Sequence, residues 1–465
     1  MTSGGPGAAP ALGSPDSPRA IGRPAGGGGR GLARTTFASL EEPVFRWFFL
    51  GQMGQSGAMQ LQQLLRGYLV FDLTGSFAAL GVMSLAQAVP MLTLSLPGGI
   101  LADRLPRKHV VQAGQAVNVA NALAMAALVA TAWLRVEHLI ASAVVQGVVM
   151  SLMMPARQSM IPDIIPLSRL TNAIALNSAG MQSMRLFAPG AGGALTAWAG
   201  ADWGYGVTAA LYVVAILGIV PIPTRLTNPV RYDGASGARS ATGDAVDAVR
   251  YIAVDPTIRM LLAVNLVTVV LAMPYIIILP GFVETVFGGG AGSLGFFLSI
   301  TGIGSLVGSL AIASLPDRRR GLILMASSLL TGLSLFVFAV SSSFVLSSLI
   351  LIVVGVGTAG RLSLSNVLVQ AYVEERYRGR VLSIYMTQFS LLFIGAFFIG
   401  ILAEWFGVQR VMAAVALALV VTSVAVVAFV PRIRELDRGR GSAARPPRAG
   451  LTARGRLCHD SGESG

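Results

Sequence analysis

Between about residue 45 and residue 430 the chain repeats one pattern, a long apolar run followed by a short polar break. A run of about 20 residues, at 1.5 Å per residue, crosses the hydrocarbon core of a bilayer as an α-helix. Only a helix or a closed barrel satisfies its own backbone there. The runs predict helices at 45–70, 77–101, 109–134, 139–161, 170–198, 203–222, 258–283, 292–314, 321–340, 344–369, 381–404 and 408–430. No period-2 alternation dominates, which sets a membrane β-barrel aside. Composition agrees: 54% of residues are hydrophobic and 12% charged, against roughly 25% charged in a soluble domain. The expected fold is an all-α membrane protein of twelve transmembrane helices.

The net charge of +13 is carried almost wholly by arginine, Lys108 being the one lysine. Such a balance suggests nucleic acid first, but here the charge sits in short clusters between apolar runs, as at a membrane surface. No nucleic-acid partner is expected. A single cysteine, Cys458, and three histidines leave no intramolecular disulfide and no metal site in view. The phosphate-binding pattern Gly-x-x-x-x-Gly-Lys-Ser/Thr is absent, so a self-contained ATP-driven pump is excluded. No cofactor and no enzymatic activity are expected.

Arginine placement gives the orientation. One set of connections carries Arg104, Arg107 and Lys108, then Arg169, then Arg225, Arg231, Arg239 and Arg250, then Arg318 to Arg320, then Arg376, Arg378 and Arg380. The alternate set carries little. The positive-inside rule makes the first set cytoplasmic, together with both termini, in the cell membrane. Residues 1–40 read as a disordered tail, and so does the basic segment 432–465. The longest break, 223–257, divides 41–222 from 258–431, six helices on each side. Within it, Gly243–Val254 has the spacing either of an amphipathic helix on the membrane surface or of a plain linker.

The two parts repeat one another. Leu80-Gly81 opens a helix that ends at Asp103-Arg104, Leu294-Gly295 opens one that ends at Asp317-Arg318, and both spacings from glycine to aspartate are 22 residues. An internal repeat of six helices implies two pseudo-symmetric halves with a site between them.

The segment Gly98-Gly99-Ile100-Leu101-Ala102-Asp103-Arg104-Leu105-Pro106-Arg107-Lys108 resembles the loop signature of the major facilitator superfamily. Narrower matches occur at Phe71 to Ser76, Met154 to Gln158, Asn172 to Asn177 and Arg378 to Val381. These resemble the subgroup that holds the enterobactin exporter and macrolide-efflux-type proteins. The resemblance implies that Gly99, Asp103, Arg104, Arg107 and Lys108, with Asp317 and Arg318, form a latch that closes the cytoplasmic side. It also implies exchange of solute for protons, with sodium coupling or facilitated diffusion as the other readings. The subgroup often has an acidic residue after a glycine early in helix one, whereas here Gly57 is followed by Ala58 and Met59. In helix five, Arg185-Leu186-Phe187-Ala188-Pro189-Gly190-Ala191-Gly192-Gly193 is similar to the superfamily's antiporter motif, with Ala188 in place of the usual glycine. Arg185, Pro189, Gly190, Gly192 and Gly193 carry that likeness, which implies export; plain helix packing is the other reading.

Polar groups within a span are costly and face a cavity or a partner helix. Gln52, Gln55, Met59, Gln62 and Arg66 fall on one face of helix one at spacings of 3, 4, 3 and 4. That face looks either into a central cavity or onto a neighbouring helix. Arg185 is 15 residues into helix five, roughly 22 Å deep, and calls for a partner. Gln146, Gln182, Asn265, Arg361, Asn366 and Gln388 complete the candidate solute contacts, each with a packing hydrogen bond or end anchoring as its other reading. No acidic residue falls at mid-membrane. The reading that follows is a monomeric secondary exporter of a small amphiphilic organic molecule, with an uptake carrier or a non-transporting solute sensor as alternatives.

Overall fold

The computed structural model describes residues 1, 38–94, 105–224, 247–315, 319–434 and 436. Helices stand at all twelve predicted places, and no strand occurs among the described residues. They are α1 (Pro43–Thr74), α2 (Phe77–Thr93), α3 (Arg107–Ala130), α4 (Val136–Gln158), α5 (Leu170–Ala199) and α6 (Ala201–Ile219). Then follow α7 (Pro256–Phe287), α8 (Ala291–Ser314), α9 (Arg320–Val340), α10 (Phe344–Tyr372), α11 (Glu375–Phe406) and α12 (Val408–Phe429). Nine of the described helices are long and apolar enough to cross a membrane. The other three have visible reasons for falling short. Helix α1 carries five glutamines and two arginines, α5 carries Asn172, Asn177, Gln182 and Arg185, and the described part of α2 is 17 residues long.

Local chemistry sets the ends. Gly75 adopts the left-handed conformation (φ 59°) and closes α1, its N–H returning to the Phe71 carbonyl. Ser76 then caps α2, its Oγ accepting from the Ala79 N–H at 3.2 Å. Asp255 caps α7 by accepting from Thr257 and Ile258, with Pro256 in the first turn. Helix α7 is not the single rod the sequence predicts. It breaks between Ala272 and Tyr275, at Met273-Pro274, because proline has no N–H to give the preceding turn. Helix α11 likewise passes through a 3-10 turn at Gln388–Ser390.

Helices α1, α5 and α6 pack together, as do α2 with α4 and α3 with α4 and α6. In the C-terminal set α8 and α9 pack on α10, and α9 and α11 on α12. The two sets meet chiefly along two crossings, α2 on α11 and α5 on α8. Glycine makes both crossings close. A Cβ on Gly400 would lie 2.5 Å from the Phe77 carbonyl oxygen, and one on Gly81 3.0 Å from that of Phe397. At the other crossing a Cβ on Gly193 would lie 2.5 Å from the Ala291 carbonyl oxygen, and one on Gly295 2.9 Å from the Gly193 Cα. The repeated glycines of the sequence, Gly81 and Gly295, are thus the equivalent contact points between the sets.

The core divides by depth. At the end opposite the basic connections one apolar cluster runs through both sets, from Leu64, Val70 and Phe77 to Phe282, Leu294 and Phe338. At the basic end there are two. Phe45, Val111 and Met153 belong to the N-terminal set, and Ile258, Leu368 and Tyr385 to the C-terminal one. The described part of the linker, helical over 247–254, docks on the second of these: Tyr251 stacks on Tyr377 at 4.3 Å and Ala248 is fully buried.

Candidate functional site: a central cavity with a lone arginine

A cavity of about 260 Å³ lies where the two sets part. Four elements supply most of its wall. Helix α1 gives Gln60, Gln63 and Leu64, and α5 gives Gln182, Arg185 and Pro189. The broken segment of α7 gives Met273, Tyr275 and Ile276, and α8 gives Leu298, Thr301, Ser305 and Ser309. The lining alternates amide and hydroxyl groups with aliphatic and aromatic carbon. Thr301 and Ser305 each donate to a carbonyl one turn back on their own helix, at 2.8 and 3.0 Å.

Among the described residues Arg185 is the only charged one of this lining. Its side chain is exposed to the cavity, and no hydrogen bond or ion pair joins it to another described residue. A guanidinium presents five N–H donors in a planar fork suited to carboxylate, phosphate or sulfonate oxygens.

The polar face expected on helix one turns away from the cavity. Gln55 accepts from Gln115 of α3 and Gln62 accepts from the Tyr212 hydroxyl of α6 at 2.6 Å. Arg66 is buried, donating to the Ser142 carbonyl at 3.3 Å and to Gln87 Oε1 at 3.1 Å, with its Nε unsatisfied. Gln146 is buried among the N-terminal helices. In the C-terminal set Asn265 donates to Gln388 Oε1 at 2.7 Å and accepts from Ser365, while Arg361 donates to Thr268 at 3.2 Å. Asn366 accepts from Gln370 on its own helix. Of the solute contacts expected from sequence, Arg185 and Gln182 are the ones this cavity brings to its wall, while Gln388 is buried and donates to the Leu262 carbonyl at 3.0 Å. Gln60 and Gln63, on the other face of α1, line the cavity without being among the contacts expected from sequence; so does the Thr301, Ser305, Ser309 stripe, although its i, i+4 spacing is legible in the sequence.

Gly99, Asp103, Arg104, Asp317 and Arg318 of the expected latch lie outside the described residues. Arg107 pairs with Asp163 at 2.5 Å, and Lys108 donates to the carbonyls of Val220 and Ile222 at 2.8 and 2.7 Å. Both ties stay within the N-terminal set. A tie between the sets occurs at the opposite end. Glu404 Oε2 of α11 accepts from the Phe77 N–H at 2.7 Å, the Ser76 hydroxyl at 3.1 Å and the Ala78 N–H at 3.3 Å, capping α2 across the interface. In the helix-five motif, Pro189, Gly190 and Gly193 pack on α8, and Gly192 packs on Leu61 of α1.

Known proteins share this organisation. A family model described as transmembrane secretion effector matches residues 34–452. The staphyloferrin A transporter of Staphylococcus aureus is 22% identical over 71% of this chain and 82% of its own. The multidrug efflux pump Tap of Mycolicibacterium fortuitum is 26% identical over 80% of this chain and 91% of its own. Among solved structures, a bacterial homologue of the lysosomal transporter Spinster, inward-facing and unoccupied, superposes with a TM-score of 0.66 at 14% identity, covering 84% of this chain and 97% of the other. The nucleoside transporter NupG superposes with a TM-score of 0.67 at 17% identity, covering 82% and 99%.

Proposed function

Because the chain belongs to the transmembrane secretion effector family of major facilitator transporters, we propose that it exports small amphiphilic organic molecules by alternating access. It is a multi-pass membrane transporter and not an enzyme. The solute class we propose is a drug, siderophore or other secondary metabolite, in keeping with what the two relatives are named for.

The observation that carries the proposal is the central cavity, with its mixed lining, lying between two helix sets that share a core at one end and keep separate cores at the other. Rocking about the glycine crossings, Gly81 on Gly400 and Gly193 on Gly295, would part the shared core and bring the separate ones together. The charge of the basic connections supports placing them in the cytoplasm with both termini. On that orientation the cavity faces inward, where an exporter loads. The latch of residues 99–108 with 317 and 318 belongs to the same proposal, as the contact that would seal the cytoplasmic side in the alternate state. A monomeric state belongs to the same proposal. The resemblance implies proton exchange, yet no Asp or Glu lines the cavity among the described residues, so alternating access is proposed here without an assigned coupling ion.

Inverted and right-side-out membrane vesicles from cells making the protein separate export from uptake. Energised accumulation of fluorescent amphiphiles in the inverted vesicles is expected. Accumulation confined to right-side-out vesicles would replace export by uptake, and binding without counterflow in either would favour a sensor.

A further inference from the structure

The charges inside the described helices have one sign. Arg66, Arg185 and Arg361 lie two turns or more from either end of their helices. Every Asp and Glu among the described residues lies outside the helices or in a first or last turn: Asp72, Glu284 and Glu404 at the far ends of α1, α7 and α11, Glu137 and Asp202 at the starts of α4 and α6, and the rest at the basic end. A cation held in a low-dielectric wall without a counter-charge is costly, and charges retained in a membrane interior serve the transported species or pair with one another. Among the described residues Arg185 has no such pairing, and it stands open to the cavity.

A second cation marks a way out. A small pocket of about 30 Å³ adjoins the cavity and shares Gln63, Ile276, Pro280 and Phe393 with it. Its far wall holds Arg66, 4% exposed, whose Nε has no partner. Arg185 is 15 residues from the basic end of α5, while Arg66 is 23 from the basic end of α1. At 1.5 Å per residue, Arg66 therefore stands roughly 12 Å further from the basic end. An anion leaving Arg185 toward the far side meets Arg66 next.

We propose that the solute is an organic anion, its anionic group held by Arg185 and its apolar body by Met273, Tyr275 and Leu298, and that the membrane potential drives its export. This rests on the exporter reading above. The loaded cavity is electrically neutral, guanidinium against anion, and reorients with little work in the field. The empty cavity is a net cation, and a potential negative inside favours its return to the inner face. Each turnover with a monoanion moves one negative charge outward, in the direction the potential favours, and needs no proton carrier. Asp72, Glu284 and Glu404 sit at the far end and do not line the cavity, so none of them visits both sides with the solute.

The test uses the full chain in proteoliposomes with tritiated 2-naphthalenesulfonate, an amphiphile that stays anionic at every working pH. Valinomycin and a potassium gradient set the lumen positive. At 100 mV the expected accumulation approaches roughly fifty-fold for one charge. It vanishes when potassium is equal on both sides, and a pH gradient at zero potential leaves it at zero. Arg185→Gln is expected to lower uptake at least tenfold, because it removes a charge-assisted contact. Arg185→Lys keeps the voltage dependence at reduced affinity, since charge survives and the planar fork does not. Accumulation that follows the pH gradient and ignores potential would overturn the proposal, as would undiminished uptake by Arg185→Gln. Transport of neutral 2-naphthalenesulfonamide or of a 2-naphthyl trimethylammonium cation, without the sulfonate, would also overturn it while leaving the exporter reading standing. Movement of none of the three would end both.

Discussion

At the far end of the molecule one apolar core passes through both helix sets, whereas at the basic end each set keeps a core of its own. The two ends are held by different chemistry. The far end is closed by aliphatic and aromatic packing, with Phe71 against Phe77 at 4.8 Å and Gly281 of α7 pressed on both rings, and by the Glu404 cap on α2. The basic end is tied within each set, by Arg107 to Asp163 on one side and by the Tyr251–Tyr377 stack on the other. Lipid tails give helices no hydrophobic reason to associate, so close backbone approach must do it. The glycine crossings supply that approach between the two ends. On the alternating-access proposal, closure at one end and parting at the other would be a single rigid-body arrangement of two sets about these crossings as shared pivots.

Three substitutions bear on this contrast. The largest effect is expected at a pivot. In Gly295→Val the new carbons meet the backbone of Pro189 and Gly193, which cannot move aside as a side chain would. Overpacking against backbone costs about 3 kcal/mol or more, so thermal unfolding in detergent should shift down by several degrees and transport should be lost. A variant with wild-type melting and transport would show that the crossing is not a pivot. Glu404→Ala comes next. It strips three donors of their shared acceptor and removes a negative charge from the α2 N-terminus. Its exposed position limits the effect to about 1–2 kcal/mol, a five- to thirty-fold shift in favour of parting at the far end. Double electron–electron resonance between spin labels at Leu73 and Phe406 would read it as a growing long-distance population. Gly379→Ala, at the basic end, should do least. A Cβ there meets nothing within 4 Å, so stability and transport should stay within about 0.5 kcal/mol of wild type. A large effect would mean that the basic end is more tightly packed than its two separate cores imply.

Much of this architecture was legible in the sequence because it rests on local pattern. Apolar run length placed the helices, and Gly81 and Gly295 marked equivalent points of a repeat before either had a visible partner. The break in α7 was missed although Pro274 is plain in the sequence, since apolar run length carries no information about the backbone within it. The site was harder to read. Helix α1 has polar side chains on two faces, and periodicity favours the denser one, Gln52 to Arg66, which the structure turns onto α3, α4 and α6. Gln60 and Gln63 give a weaker signal and line the cavity. Glu404 read as an end charge, because its partners at residues 76–78 are more than 320 positions away. Arg185 was legible as a span cation, but only the packing of α5 on α8 shows that it faces a cavity that no carboxylate lines among the described residues.

The central claim is that the cavity opens to the side of the basic connections. Ser363 lines it, and Cys458 is the only cysteine of the chain, so Ser363→Cys in a Cys458→Ser background gives one reporter thiol. A membrane-impermeant methanethiosulfonate applied to sealed inverted vesicles, and separately to right-side-out vesicles, asks from which side that thiol is reached. The account predicts rapid labelling in inverted vesicles and protection in right-side-out ones. Labelling from the outside alone, or equally from both sides, would contradict it.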